Sequence, residues 1–224
     1  MKLIIKDIKA NYAFIIPYTL FLIAGLVLIS LHSKAELHII LNQFYCDFTD
    51  VFFKYYTHAG DGLLISLIAV ALLFVRFKYS IGLAASGISV LLVVQGLKRL
   101  VFNDIYRPQY FFEHIYAGNY QLNVPDGVTL ANMYSFPSGH TTTAFALFFF
   151  LCLIIKAPKL KFLMFLLALL AGYSRVYLSF HFTEDILAGS VLGILLAYFG
   201  YWISRKLDAA NWANKSLLNL KKDI

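Results

Sequence analysis

The chain has 224 residues, of which 60% are hydrophobic, 17% aromatic and only 14% charged. A soluble domain needs roughly 25% charged residues to solvate its surface, so this composition excludes a soluble globule, a disordered chain and a coiled coil, and indicates a membrane protein. The net charge of +7 would suit nucleic acid in a soluble protein; here the placement of the basic residues matters more, and no nucleic-acid partner is expected.

Six apolar runs occur in chain order, at residues 12–31, 62–75, 81–102, 141–155, 160–178 and 186–203. They predict an all-α, polytopic bundle of six transmembrane helices. Six spans would use about 120 residues and leave about 100 for loops and tails, so residues 1–224 are expected to form one domain.

The first run follows Lys2, Lys6 and Lys9, and Ser33-Lys34-Ala35 loosely resembles a signal-peptide cleavage site. Its apolar stretch exceeds the roughly 7–15 residues of a signal core, so a retained helix is expected. The second and fourth runs are short. Both gain length if residues 58–61 and 137–140 begin the helices, because a helix start can line a polar site where protein replaces lipid.

Residues 36–56 mix large apolar side chains with Asn42, Asp47, Asp50 and Lys54, which fits an interfacial helix or, equally, an outer loop with aromatic anchors. Residues 103–136 form a connection too long to be idle, expected to cover or border a site.

If the six helices alternate, one membrane face collects 13 of the 19 basic residues, from the N-terminus through Arg76, Lys78, Lys156, Lys159 and Lys161 to the tail with Lys215, Lys221 and Lys222. The opposite face holds Lys34, Lys54, Lys98, Arg99, Arg107 and Arg175, together with nine of the twelve acids. The positive-inside bias then puts both termini in the cytoplasm and the second face outside the cytoplasmic membrane. Cys46 and Cys152 are the only cysteines, and Cys152 lies 12 residues past His140, about 18 Å into a span at 1.5 Å rise per residue; no disulfide is expected.

Three polar clusters fall at span ends on the outward face: Lys98 with Arg107-Pro108, Pro137-Ser138-Gly139-His140, and Ser174-Arg175 followed by His181 and Asp185. Each has an ordinary structural reading: a snorkelling cation, a Ser138 helix cap, a surface His–Asp pair. Their co-location argues for a site. Backbone N–H groups of Ser138, Gly139 and His140 at a helix start would face an anion. Arg107 and Arg175 offer bidentate geometry to phosphoryl oxygens, and Lys98 adds a point charge. Asp185, four residues after His181, can hold one imidazole nitrogen and aim the other at phosphorus, which makes His181 the expected nucleophile. His140, at the phosphate-binding helix start, is then the expected acid for the leaving oxygen and base for water.

These blocks resemble the type 2 phosphatidic acid phosphatase superfamily, whose signature reads Lys-x6-Arg-Pro, Pro-Ser-Gly-His, then Ser-Arg-x5-His-x3-Asp. The second and third blocks match without deviation, and the resemblance covers residues of about 60–201. It implies a phosphatase needing no metal or other cofactor, with a phosphohistidine intermediate, in which Lys98, Arg107, Ser138, Gly139 and Arg175 bind phosphate. The first block departs from the pattern. Eight residues separate Lys98 from Arg107, and Leu100 occupies the expected lysine position. A turn near Asn103-Asp104 could absorb the extra length. Arg99 points about 100° away from Lys98, so only one can face the site, and Lys98 is preferred.

The expected function is hydrolysis of a lipid phosphate or diphosphate in the outer leaflet, with a polyprenyl diphosphate carrier favoured over lipid A phosphate, phosphatidylglycerophosphate and phosphatidic acid. A metal hydrolase using His140, His181 and Asp185 is a second class of reading, opposed by the three nearby cations. A non-catalytic lipid-binding protein is a third. Soluble relatives of the family, such as vanadium haloperoxidases, do not suit the hydropathy. His32, His38, His58 and His114 are expected to be interfacial or loop residues without a role.

Overall fold

The computed structural model describes residues 2–220, with side chains for 6–219; Lys221 and Lys222 of the basic tail, and the side chain of Lys2, lie outside the described residues. Every regular element in it is helical. In chain order these are α1 (Lys2–Ala10), α2 (Tyr12–Leu31), α3 (Lys34–Asn42), α4 (Asp47–Tyr56), α5 (Gly62–Leu72) and α6 (Phe77–Gly96). After them come α7 (Pro108–His114), α8 (Gly139–Ile154), α9 (Pro158–Tyr177), α10 (Thr183–Lys206) and α11 (Leu217–Leu220).

α8 is the axis of the bundle. Its residues from Thr141 to Phe150 are all buried, enclosed by α6, α9 and α10. Burying three consecutive threonines in an apolar helix requires their hydroxyls to be satisfied locally. Thr142 and Thr143 accordingly donate to the carbonyls of Ser138 and Gly139, at 2.8 and 3.1 Å. α10 runs close against α8: a Cβ on Gly193 would sit 2.5 Å from the Thr142 carbonyl oxygen, so only glycine permits this approach. α2 contributes Phe14, fully buried between the rings of Phe149 and Phe165. Its outer face exposes Ile16, Leu20, Ile23, Leu26 and Leu31. An apolar helix this poorly covered by protein needs lipid to cover it.

All six expected apolar runs are helical, but six full-length spans are not reproduced. By length and composition four helices can cross a membrane: α2, residues Phe77–Val101, α9 and α10. A fifth counts if Asp47–Gly60 and Gly62–Leu72, bent by 57°, form one span. The fourth expected run is the 16-residue α8, which is surrounded by helices and ends in site residues, so its length is not set by the hydrocarbon thickness.

The two polar segments are also more structured than expected. Residues 36–56 are neither one interfacial helix nor an irregular loop; they fall into α3 and α4, separated at residues 43–46. α4 exposes Phe48, Val51 and Tyr55. α3 turns inward with Leu37, His38 and Asn42 buried, so His38 is neither interfacial nor in a loop. The long connection contains α7 and lays Phe112, with Tyr116, Tyr120 and Leu122, over Ala35 and Phe182. It caps the end of the bundle where α9 stops and α10 starts.

Asn42 ties this cap together. Its amide donates to the Tyr177 carbonyl (2.9 Å) and Ser179 Oγ (3.1 Å), and its side-chain oxygen accepts from Asn123 N (2.9 Å) and the Tyr120 hydroxyl (3.1 Å). The loop that carries His181 is thereby pinned, with Ser179 held at a positive φ of 56°.

Candidate active site

The starts of α5, α8 and α10 and the ends of α6 and α9 meet at one end of the bundle. His181 lies in the loop between α9 and α10, where its own N–H donates to the Arg175 carbonyl at 3.1 Å. Its ring is buried, with Nδ1 3.2 Å from Asp185 Oδ2. That carboxylate oxygen also accepts from Phe182 N (3.0 Å) and from Ser135 Oγ (2.5 Å). Asp185 thus occupies the third position of α10, caps the helix start and fixes the imidazole in one step. With Nδ1 engaged, Nε2 is the ring nitrogen without a protein partner. Burial, reinforced by the charges of Arg107, Lys98 and Arg175, holds the His181 pKa well below its usual 6.5 and so favours the neutral ring.

Among the described residues no carboxylate lies within ion-pair distance of the three converging cations, although Asp185 acts on Lys98 and Arg107 and Asp61 acts on Arg175 through space. Lys98 is buried and donates to the Tyr134 carbonyl at 2.8 Å. Arg107 donates from Nε to the Met133 carbonyl at 2.9 Å. Arg175, 4% exposed, donates to Thr57 Oγ1 at 2.6 Å, stacks on Phe180 at 3.9 Å, and keeps its buried Nε without a partner. Arg99 and Leu100 point outward, so Lys98 is the inward-facing residue of that segment. Part of the extra spacing before Arg107 falls in a π-helical turn at Leu97–Val101, whose hydrogen bonds span one residue more than those of an α-helix.

At the start of α8 the arrangement differs from expectation in one respect. The Ser138 N–H does not face an anion, because it donates to the Asp185 carbonyl at 3.1 Å. Ser138 Oγ caps the helix, accepting from Thr141 N and Thr141 Oγ1 at 3.4 and 2.9 Å, and keeps its own proton to donate. The N–H groups of Gly139 and His140 open the helix and have no intrahelical partner.

His140 Nε2 lies 2.6 Å from Asp61 Oδ1, and the other oxygen of Asp61 lies 2.6 Å from His58 Nδ1. From sequence no role falls to Ser135 or Thr57, and Asp61 enters only as the end of the 58–61 segment that can line a polar site; Ser135 stands two residues before Pro137. What a single sequence does not contain is the fold-back that brings the Thr57–Gly60 turn against α8. Among the described residues no three His, Cys, Asp or Glu side chains are grouped so as to hold a metal ion; His140 and His181 engage different carboxylates. Cys46 and Cys152 are both free.

From His140 and Asp61 a groove of about 610 Å³ runs between α5 and α6 along α8. Ile65, Ala69, Leu83, Val90, Leu91 and Val94 form its walls, with Ser66, Ser80, Gln95 and Thr143 as the polar interruptions.

Comparison with known proteins places these observations. A sequence profile of the PAP2 superfamily matches residues 63–209, which include Lys98, Arg107, His140, Arg175, His181 and Asp185. A lipid A 1-phosphatase of Porphyromonas gingivalis is 41% identical over 92 residues, 39% of this chain and 20% of its own length. The bacitracin transport permease protein BcrC of Bacillus licheniformis is 40% identical over 74 residues, 33% of this chain and 36% of its own. The matches thus span between a fifth and about a third of these relatives. The crystal structure of Aquifex aeolicus LpxE superimposes with a TM-score of 0.63 at 25% identity, covering 75% of this chain and 94% of that one. A membrane PAP2-type phosphatidylglycerolphosphate phosphatase from Bacillus subtilis shares the fold, with a TM-score of 0.51 at 22% identity over 88% and 98% of the two chains. With the family profile covering well over half of its length and this end of the helical bundle carrying the family's signature residues, the chain is a multi-pass membrane protein that belongs to the PAP2 superfamily.

Proposed function

We propose that the protein is a phosphatase that hydrolyses a lipid phosphate or diphosphate through a phosphohistidine intermediate. The observation that carries this reading is the set of three inward cations bonded only to neutral oxygens, placed around two histidines that are each held by a carboxylate. Lys98, Arg107, Arg175, the Ser138 hydroxyl and the first N–H groups of α8 bind the phosphoryl oxygens. His181 Nε2 attacks phosphorus, forming the P–N bond as the P–O bond to the leaving group breaks. His140 gives its proton to the departing oxygen. The same ring then takes a proton from water, whose oxygen displaces Nε2 and releases phosphate. The cations supply the charge that a metal ion would otherwise provide at the transition state, so activity is expected to persist in excess chelator.

The groove beginning at His140 supports a lipid substrate, since an apolar channel joined to a phosphate site suits a headgroup with a hydrocarbon tail. We favour a polyprenyl diphosphate. Lipid A phosphate is as well supported, by the identity to a lipid A 1-phosphatase, and phosphatidylglycerophosphate and phosphatidic acid are the further candidates. The charge asymmetry supports both termini in the cytoplasm and the site at the outer face of the cytoplasmic membrane.

Purified protein in detergent, offered each of these lipids in turn, should release phosphate fastest from the polyprenyl diphosphate. A higher kcat/KM on lipid A would reverse the preference. Orientation is tested by single cysteines introduced at positions 118 and 158 in a Cys46→Ser background: an impermeant thiol reagent should label 118 and not 158 in intact cells, and the reverse pattern would invert the topology.

A further inference from the structure

Asp61 stands where a helix-capping residue belongs, immediately before α5, with the extended backbone of an N-cap (φ −79°, ψ 149°), yet its side chain makes no capping bond. Aspartate at this position normally accepts from the second or third N–H of its helix. Here both oxygens are turned away from α5, one to His58 Nδ1 and one to His140 Nε2, each at 2.6 Å.

The turn before it is fitted to the same end. Thr57 accepts from Arg175 at 2.6 Å. Gly60 lies so close to α8 that a Cβ there would stand 2.6 Å from the His140 carbonyl oxygen, leaving no room for any side chain. One short turn therefore touches a phosphate-binding arginine, abuts the backbone of the acid–base histidine and puts a carboxylate on its ring.

We propose that Asp61 is a positioning residue for His140, holding Nε2–H so that Nδ1 delivers the proton to the leaving oxygen and stabilising the imidazolium that must be present before that transfer. The inference rests on the reading of His140 as the acid and base of the proposed phosphatase. Burial above all, and then the charges of Arg175, Arg107 and, through the phosphate site, His181, oppose a positive His140 ring; Asp61 is the carboxylate in contact with it. In the first step the proton leaves His140 Nδ1 for the oxygen whose bond to phosphorus breaks. In the second it returns from water. Asp61 keeps its charge throughout and transfers nothing.

The test is the dependence of phosphorylation rate on the leaving group. Full-length Asp61→Asn and Asp61→Glu proteins in detergent are compared with wild type in single-turnover labelling, once with a lipid phosphate and once with 4-nitrophenyl phosphate, whose leaving group departs without protonation. In Asp61→Asn, phosphoenzyme formation from the lipid should fall by about 10- to 100-fold, part of the range for general acid catalysis, while formation from the aryl phosphate stays near wild type. The aryl reaction also shows that the variant is folded, because it needs His181 and the arginines in place. Asp61→Glu, which keeps the charge but not the shape, should retain more of the lipid rate than the isosteric Asn. Equal loss on both substrates, no loss on either, or Asn outperforming Glu would overturn the proposal. A wild-type protein that forms no phosphoenzyme from any of these substrates would overturn the phosphatase reading, and this inference with it.

Discussion

The two ends of the bundle both bury cations, and they treat them differently. At the end where α5, α8 and α10 finish, Lys78 reaches Asp208 at 2.5 Å, and Arg205 and the Tyr198 hydroxyl both bond Asp7, at 3.0 and 2.8 Å. Lys161 donates to the Ala10 carbonyl and to Asn11 Oδ1, where the negative end of the α1 dipole takes the place of a carboxylate. Two of these three cations, Lys78 and Arg205, thus meet a carboxylate. At the other end Lys98, Arg107 and Arg175 have only carbonyl and hydroxyl partners, and the two nearby carboxylates are given to histidines. Three cations facing two carboxylates that are themselves bonded to histidines leave this end with excess positive charge, which is costly to bury and is what the proposed phosphate site would answer.

The sharpest way to break this comparison is His181→Ala. Loss of the nucleophile should reduce turnover by about 10⁴-fold or more and abolish acid-labile, base-stable phosphoenzyme. Label persisting in this variant would remove His181 from its role. His140→Ala should cost about 10² to 10⁴ in turnover of a lipid substrate. With an activated aryl phosphate it should nonetheless accumulate phosphoenzyme, because water attack then lacks its base. Label trapped in His181→Ala but absent in His140→Ala would exchange the two assignments.

Arg175→Ala tests the unanswered cations directly. Removing one transition-state donor should lower kcat/KM by about 10² to 10³-fold, and phosphate or vanadate should protect the variant less against heat than wild type. If activity drops only a few-fold, the anion site does not depend on that guanidinium.

The pH dependence of stability is a smaller effect with a definite sign. His181 and His38 are both kept neutral by burial, His38 with its pKa lowered to about 3. The unfolded chain binds protons at these positions near pH 6.5, while the folded one does not. Stability from these groups is therefore present above about pH 6.5 and is lost as pH falls below it. The apparent Tm in detergent should be lower at pH 5 than at pH 8, and His38→Gln should flatten the difference; an unchanged slope would contradict a buried neutral His38. Smallest of all is Lys78→Met at the opposite end. Asp208 is half exposed, so the pair is worth about 1 kcal/mol or less, and phosphatase activity should stay within a few-fold of wild type.

Much of this was written in the chain itself. The 12–31 run coincides with α2, the apolar pattern placed every major helix to within a few residues, and Pro137-Ser138-Gly139-His140 announced the start of α8 because a capping serine before an apolar run is a local signal. The four-residue spacing of His181 and Asp185 keeps them within reach, but His181 lies in the loop before α10, so their contact comes from Asp185 capping the helix start and not from a helical turn. The sequence favours Lys98 over Arg99 only on the reach of a point charge; the structure supplies the geometry, with Lys98 buried and Arg99 exposed on a π-helical turn. Asp61 and Ser135 lie 79 and 50 residues from the groups they bond, and the Ser138 N–H is taken by a carbonyl 47 residues away. Periodicity and local motifs report contacts within a helical turn or two. Which loop folds back onto which helix start, and so which carboxylate meets His140 and which cations lie beyond ion-pair reach of any described carboxylate, is decided by packing across the bundle, and only the tertiary structure contains it.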